Sequence, residues 1–421
     1  MAAIETAPVA PPTATARTEG ILRRQWLREP AARTYARSLP VVPVRARGLT
    51  IECADGRRYL DCASGAGTLV LGHNHPVVLE AVKRVIDSEE PLHAPDLASP
   101  VKDTFTTELF ATLPDALARD ARIRFCGPAA PDAVGAALAL ARTATGRTDV
   151  LSYTGHEPDP AHPAPDVTRL PFPRDDRSPA GEGVGGGQDL TALAGVLVEA
   201  VRHEGGVLPA PDGWLRRMRA ATEAGSAPLI ADETHTGVGR TGTFWAVEHS
   251  GVVPDVMVMG KAIGGSLPLA VIVYRSALDR PVGPSQGNQL AMAAGAATLA
   301  YVRRNRLAGH AAELGARMLA RLRGDLGALP GVRAVHGRGL MIGLELDDPS
   351  ASGGAVAVRQ ECLKRGLIVD ADARTPGAVR LLPPLTLTPE QAEAVLERFA
   401  DAVAAVDRTG SGRAAAGAGL A

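Results

Sequence analysis

The chain has 421 residues, 45% hydrophobic and 22% charged, with 45 basic residues against 46 acidic ones and a formal net charge of −1. That balance excludes a general nucleic-acid or membrane-surface binder, because both need a net basic face. The length gives a large buried core and two or more structural units, and no apolar run reaches the roughly 18–20 residues needed to cross a bilayer.

Residues 1–19 are rich in Ala, Pro and Thr and are expected to be disordered, within a flexible arm over 1–34. They carry no basic start followed by an apolar stretch, so no secretory signal is read there. "RGLTIECADGRRYLDCAS" (47–64) predicts a hairpin turning at Asp55-Gly56, in a segment (35–75) that packs with the smaller C-terminal unit. "GHNHP" brings His73 and His75 together, but with no further ligand cluster it reads as a turn before a helix rather than a metal site. "RIRFCG" (122–127) predicts a strand leading into a helix, "PDAVGAALALARTATG", and "DVLSY" (149–153) a second strand. The soft stretch 174–189 reads as a surface loop. "LAGVLVEAV" (193–201) is a buried strand candidate with some helical ambiguity, and "DGWLRRMRAATEAG" (212–225) an amphipathic helix closed by glycine. "APLIAD" (227–232), "DVMVMG" (255–260) and "LAVIVY" (269–274) are apolar runs of strand length. Strands apolar on both sides, with helices between them, predict an α/β sheet covered on both faces, with functional groups at the strand C-termini.

The pattern changes near residue 300. A long helical stretch (289–327), "VRAVHGRGLMIGLEL", a helix, "GLIVDAD", "AVRLLPPLTLT" and a final helix (388–406) predict a smaller α+β unit. The expected domains are thus 76–300 (large) and 301–407 (small), with a disordered tail over 408–421. Cys53, Cys62, Cys126 and Cys362 have no metal-ligand spacing and suit a reduced, cytoplasmic setting.

Only four of the 45 basic residues are lysine: Lys83, Lys102, Lys261 and Lys364. Lys261 follows an apolar strand and precedes "AIGGS", a turn that permits close approach; Asp232 ends a neighbouring strand. A lysine amine can lose its proton and form a Schiff base, which arginine cannot do. An acid beside it could hold a ring nitrogen protonated, as an electron-sink cofactor requires.

The stretch "LIADETHTGVGRTGTFWAVEHSGVVPDVMVMGKAIGGSLPLAV" resembles the core of the class III aminotransferases, pyridoxal-phosphate enzymes of fold type I. The resemblance extends over about 35–405. "YARSLPVVPVRARGLTIECADGRRYLDCASGAGTLVLGHNHP", "PLHAPDLAS" and "FCGPAAPDAVGAALALARTATGR" are most similar to the diaminobutyrate–2-oxoglutarate branch. The resemblance implies a large domain with a mostly parallel mixed sheet that binds pyridoxal 5′-phosphate, and a homodimer with shared active sites. It implies that Lys261 bonds the cofactor and then carries a proton, and that Asp232 pairs with the ring nitrogen. It sets His235 near the ring hydroxyl, Thr234 on one ring face, and Gly127, Pro128, Ala129 and Ala130 at the phosphate. It further implies that Glu204 gates Arg380, which binds a substrate carboxylate.

Departures from the family pattern gather around the cofactor. Gly127-Pro128-Ala129-Ala130-Pro131-Asp132 lacks the hydroxyls of the branch, Pro131 removes an N–H, and Asp132 can cap the helix itself and repel phosphate. The aromatic-His-Gly ring-stacking motif is missing; Tyr153 and His156 are the candidate substitutes. Thr234 stands where an aliphatic residue packs on the ring, and Pro284, with Ser285 beside it, where a threonine reaches the partner's phosphate. The expected activity is transfer of an amino group between a diamino acid, such as 2,4-diaminobutyrate, and 2-oxoglutarate, with amino acid and 2-oxo acid partners. Alternatives are a diverged enzyme of the same fold (decarboxylation, elimination or cyclisation) and a cofactor-free scaffold.

Overall fold

The computed structural model describes residues 14–29, 39–94, 97–154, 166–178, 189–280, 287–347, 354–371 and 377–418. Its centre is a seven-stranded sheet in the order Ala121–Phe125, Val271–Arg275, Val256–Met259, Leu229–Asp232, Gly195–Val198, Val150–Tyr153, Val167–Arg169. Val271–Arg275 is antiparallel to both its neighbours and the other six strands run one way. The apolar runs are explained by burial on both sides. Ile230, Val256, Val258 and Ile272 pack with Ala133, Ala137 and Ala141 of the Ala130–Thr145 helix. Leu229, Ala231, Met257 and Val273 alternate with them into the other, larger core.

The C-terminal unit contains an antiparallel sheet in the order Val332–Arg338, Met341–Leu346, Ala378–Leu381. The N-terminal hairpin is Thr50–Cys53 with Arg58–Asp61, extended by Pro43–Arg47 on one side. On its other side the C-terminal strand Leu367–Ile368 pairs parallel to Arg58–Asp61. The hairpin is thereby hydrogen-bonded to the small unit.

Several elements differ from expectation. The long helix over 289–327 is two, Gln289–Arg304 and Leu307–Leu326, because the Tyr301 carbonyl accepts from both the backbone N–H and the Nδ2 of Asn305 (3.0 and 2.9 Å) and Arg306 then turns left-handed at φ 52°. The 193–201 run yields Gly195–Val198 and a separate short strand, Val201–Arg202, paired with Leu208–Pro209. Helix Ala14–Arg28 lies inside the arm expected to be flexible. The last helix, Pro389–Ala418, runs past 406 into the stretch expected to be a tail. Among the described residues no helix is long and apolar enough to cross a membrane.

Candidate active site

Three adjacent parallel strands end on one edge of the sheet and deliver Glu199, Asp232 and the Gly260-Lys261 turn. Lys261 has φ 51° and opens a short 3-10 turn that closes at Gly265, φ 57°. A left-handed lysine costs about 1–3 kcal/mol, so surrounding packing must hold it. Here the turn is seated on the Gln289–Arg304 helix. A Cβ on Gly265 would stand 2.3 Å from the Ala294 carbonyl oxygen, and one on Gly295 would stand 2.0 Å from that of Ile263.

The Lys261 Nζ lies 2.5 Å from His235 Nε2 and 3.4 Å from the Ala66 carbonyl oxygen. Burial pushes the amine down from 10.5 to about 8, with help from the Arg380 charge, against the opposing pull of Asp370, Asp232 and Glu204. At this distance one of the two nitrogens donates to the other. His235 Nδ1 is 3.2 Å from the Thr234 hydroxyl, and its ring stacks on His203 with centroids 4.0 Å apart. Asp232 is 4% exposed, and its Oδ1 accepts the Thr234 N–H at 2.9 Å.

The N-terminus of the Ala130–Thr145 helix meets the same edge: a Cβ on Gly260 would stand 3.4 Å from Ala130 Cβ and 3.6 Å from Thr234 Cγ2. The Asp132 carboxylate accepts the Ala129 N–H at 3.0 Å, so the helix does cap itself there. It also explains Gly127, where a Cβ would fall 2.2 Å from Asp132 Oδ2.

Tyr153 is not brought into this group. It aligns with Val198 and, through it, Ala231, a row whose side chains face the larger core, whereas Asp232 alternates to the other face. Its ring meets Trp214 edge-on at 5.0 Å, and its buried hydroxyl has no hydrogen-bond partner among the described residues. The expectation that Tyr153 stacks on a cofactor is therefore corrected by strand alternation. His156 and Ser285 lie outside the described residues.

Arg380 is 3% exposed and belongs to the same cluster. The resemblance pairs it with Glu204. Its Nε instead donates to Asp370 Oδ2 at 2.8 Å and its Nη1 to the His203 carbonyl at 3.2 Å. Glu204 sits in the turn after Val201–Arg202, close enough for its charge to act on Lys261. Asp370 and His203 were missed in the sequence. The acid ending the apolar run "GLIVD" is the signal that should have flagged Asp370, by the reasoning applied to Asp232. His73 Nε2 bonds Asp61 Oδ2 at 2.8 Å, tying the hairpin to the following turn. Among the described residues no three His, Cys, Asp or Glu side chains are grouped to hold a metal ion.

These residues fit pyridoxal phosphate at the aldehyde and ring: a buried amine that readily loses its proton, a buried carboxylate on the next strand, and Thr234 against the helix N-terminus. The amine makes a test possible. Trapping of Lys261 by an aldehyde, followed by absorbance, is expected to accelerate with pH through about 8, because the reactive neutral form grows as pH rises past the lowered value. Acceleration continuing to the ordinary lysine range would contradict the assigned burial.

A family model described as "Aminotransferase class-III" matches residues 31–156 and 187–403. The chain is 40% identical to a diaminobutyrate–2-oxoglutarate aminotransferase of Rhizobium meliloti (strain 1021), covering 91% of each chain. It is 35% identical to the enzyme of that name from Haemophilus influenzae, covering 92% of this chain and 96% of the relative. Among solved structures, the acetylornithine aminotransferase of Elizabethkingia anophelis superposes with a TM-score of 0.78 at 23% identity, over 91% of this chain and 98% of that one.

Proposed function

The chain belongs to the class III aminotransferases, and on that premise we propose that it moves the terminal amino group of a diamino acid, 2,4-diaminobutyrate or a close analogue, to 2-oxoglutarate. The observation that carries this reading is the Lys261 amine, lowered to about 8 by burial and set one strand from Asp232. The relatives named for this reaction supply the substrate pair. The family is pyridoxal-phosphate dependent, and the bound cofactor supplies an electron sink for breaking a bond at the amine-bearing carbon. Lys261 Nζ serves as nucleophile and then as proton carrier. Asp232 would hold positive charge on the ring nitrogen. His235 Nε2 fixes Nζ, and the buried strand ends exclude water. The phosphate would lie at the N-terminus of the Ala130–Thr145 helix, near Gly127, Pro128, Ala129 and Ala130, where Asp132 already accepts the Ala129 N–H, and Thr234 would stand beside the ring. The donor carbon is oxidised to an aldehyde as the acceptor keto carbon is reduced to an amine, so no external oxidant is needed.

The same proposal includes a biosynthetic role and a homodimer. Leu79 and Ile86, one face of the Pro76–Asp87 helix, are 40% and 53% exposed, and Leu92 and Leu97 follow them; this apolar surface suits a second copy. Four buried free thiols suit a reducing cytoplasm. The test is glutamate formation from 2-oxoglutarate with L-2,4-diaminobutyrate as donor. Cofactor-loaded protein that forms no glutamate with any diamino donor would overturn the reading.

A further inference from the structure

A continuous line of contacts runs from the reacting amine to a buried ion pair. Lys261 Nζ touches His235, His235 stacks on His203, and His203 Nε2 lies 3.8 Å from Asp370 Oδ2. Asp370 in turn holds Arg380 by Nε at 2.8 Å. The pair is rigid. Residues 370 and 380 exchange both backbone hydrogen bonds, at 2.7 and 3.1 Å, across an isolated antiparallel bridge. It is also unequally covered, with the Arg380 side chain 3% exposed and that of Asp370 21%. Arg380 commits Nε and one Nη1 hydrogen, so its Nη1/Nη2 fork keeps donors for a carboxylate. Among the described residues, Asp370 Oδ1 accepts no hydrogen bond.

With Arg380 as the carboxylate-binding arginine that the resemblance implies, we propose that Asp370 beside it receives the α-ammonium of an α-amino acid whose far end reacts at Lys261. Arg380 takes the α-carboxylate and Asp370 takes the α-ammonium. A donor with two amines places one at Lys261 and the other on Asp370. A donor lacking the α-amine presents only its carboxylate, which Arg380 attracts and Asp370 repels, so Asp370 discriminates by attraction and repulsion together. Asp370 is thus the residue that makes the site select diamino acids. The inference rests on the aminotransferase reading above and names how that site recognises its donor.

The decisive comparison is L-2,4-diaminobutyrate against 4-aminobutyrate, which differ by the α-amine alone. Both react at Lys261, so a general disturbance of that amine cancels in their ratio. In Asp370→Asn the kcat/KM for diaminobutyrate is expected to fall about 10- to 100-fold, the loss of one hydrogen bond to a charged group. Most of the change should lie in KM, while kcat/KM for 4-aminobutyrate holds or rises as the repelling charge is removed, so the ratio between the two donors collapses. Asp370→Glu, which keeps the charge, is expected to restore much of the preference. An unchanged ratio in Asp370→Asn overturns the inference while leaving the aminotransferase reading intact. If wild-type protein turns over neither donor, that reading fails, and calorimetry decides the role of Asp370 separately. Equal diaminobutyrate affinity in wild type and Asp370→Asn then overturns it, and weaker binding in the variant supports it.

Discussion

Replacing Lys261 by alanine is expected to reduce amino transfer by about 10⁴-fold or more, the loss of a nucleophile and a proton carrier in one side chain. Lys261→Arg is expected to be as inactive, although arginine retains charge and reach, because a guanidinium does not deprotonate in proteins. Both variants should lack the visible absorbance band that wild type gains with pyridoxal phosphate. The pair of substitutions separates chemistry from charge. The Nζ is buried beside His235 and the Ala66 carbonyl, and it sits near three carboxylates, Asp370, Asp232 and Glu204, that favour its protonated form. A purely electrostatic role would survive in Lys261→Arg. Activity within tenfold of wild type in that variant would remove Lys261 from the chemistry, and with it the proposed reaction.

The large sheet was legible because a strand covered on both faces must be apolar at every position, and "LIAD", "VMVM" and "VIVY" are. Asp232 and Lys261 were legible for the converse reason, as polar residues standing where such runs stop. Tyr153 was misplaced because adjacent residues of a strand point to opposite faces, and which face holds the site depends on register with Val198 and Ala231, a non-local property. The break at Arg306 was hidden because neither glycine nor proline marks it. The stop comes from the Asn305 side chain returning to the Tyr301 carbonyl. Asp370 ends an apolar run as Asp232 does, but its place beside Arg380 comes from pairing in the small unit, and His203 reaches the site through a ring stack that leaves no local pattern.

Arg240 lies in "GVGRTG", and its removal is expected to have the largest effect on stability. The residue is 0% exposed. Its guanidinium donates to the carbonyls of Leu340 at 3.2 Å, Gly67 at 3.5 Å and Pro383, so it joins the large sheet, the N-terminal segment and the small unit. Burial lowers its pKa to about 10, still protonated at neutral pH, so the carbonyls solvate a true cation. Arg240→Ala leaves those oxygens without a donor and opens a cavity. The expected cost is about 3–5 kcal/mol in urea unfolding. Arg240→Met refills most of the volume but supplies no donor, and should recover only part of the loss. Activity should follow stability at this position, because Gly67 adjoins Ala66, whose carbonyl contacts Lys261 Nζ. With the arginine gone, that segment is released and the amine loses one of its fixed neighbours. Arg240→Met as stable as wild type would mean that packing, not the carbonyl contacts, joins the three segments, and activity would then be unaffected by the substitution.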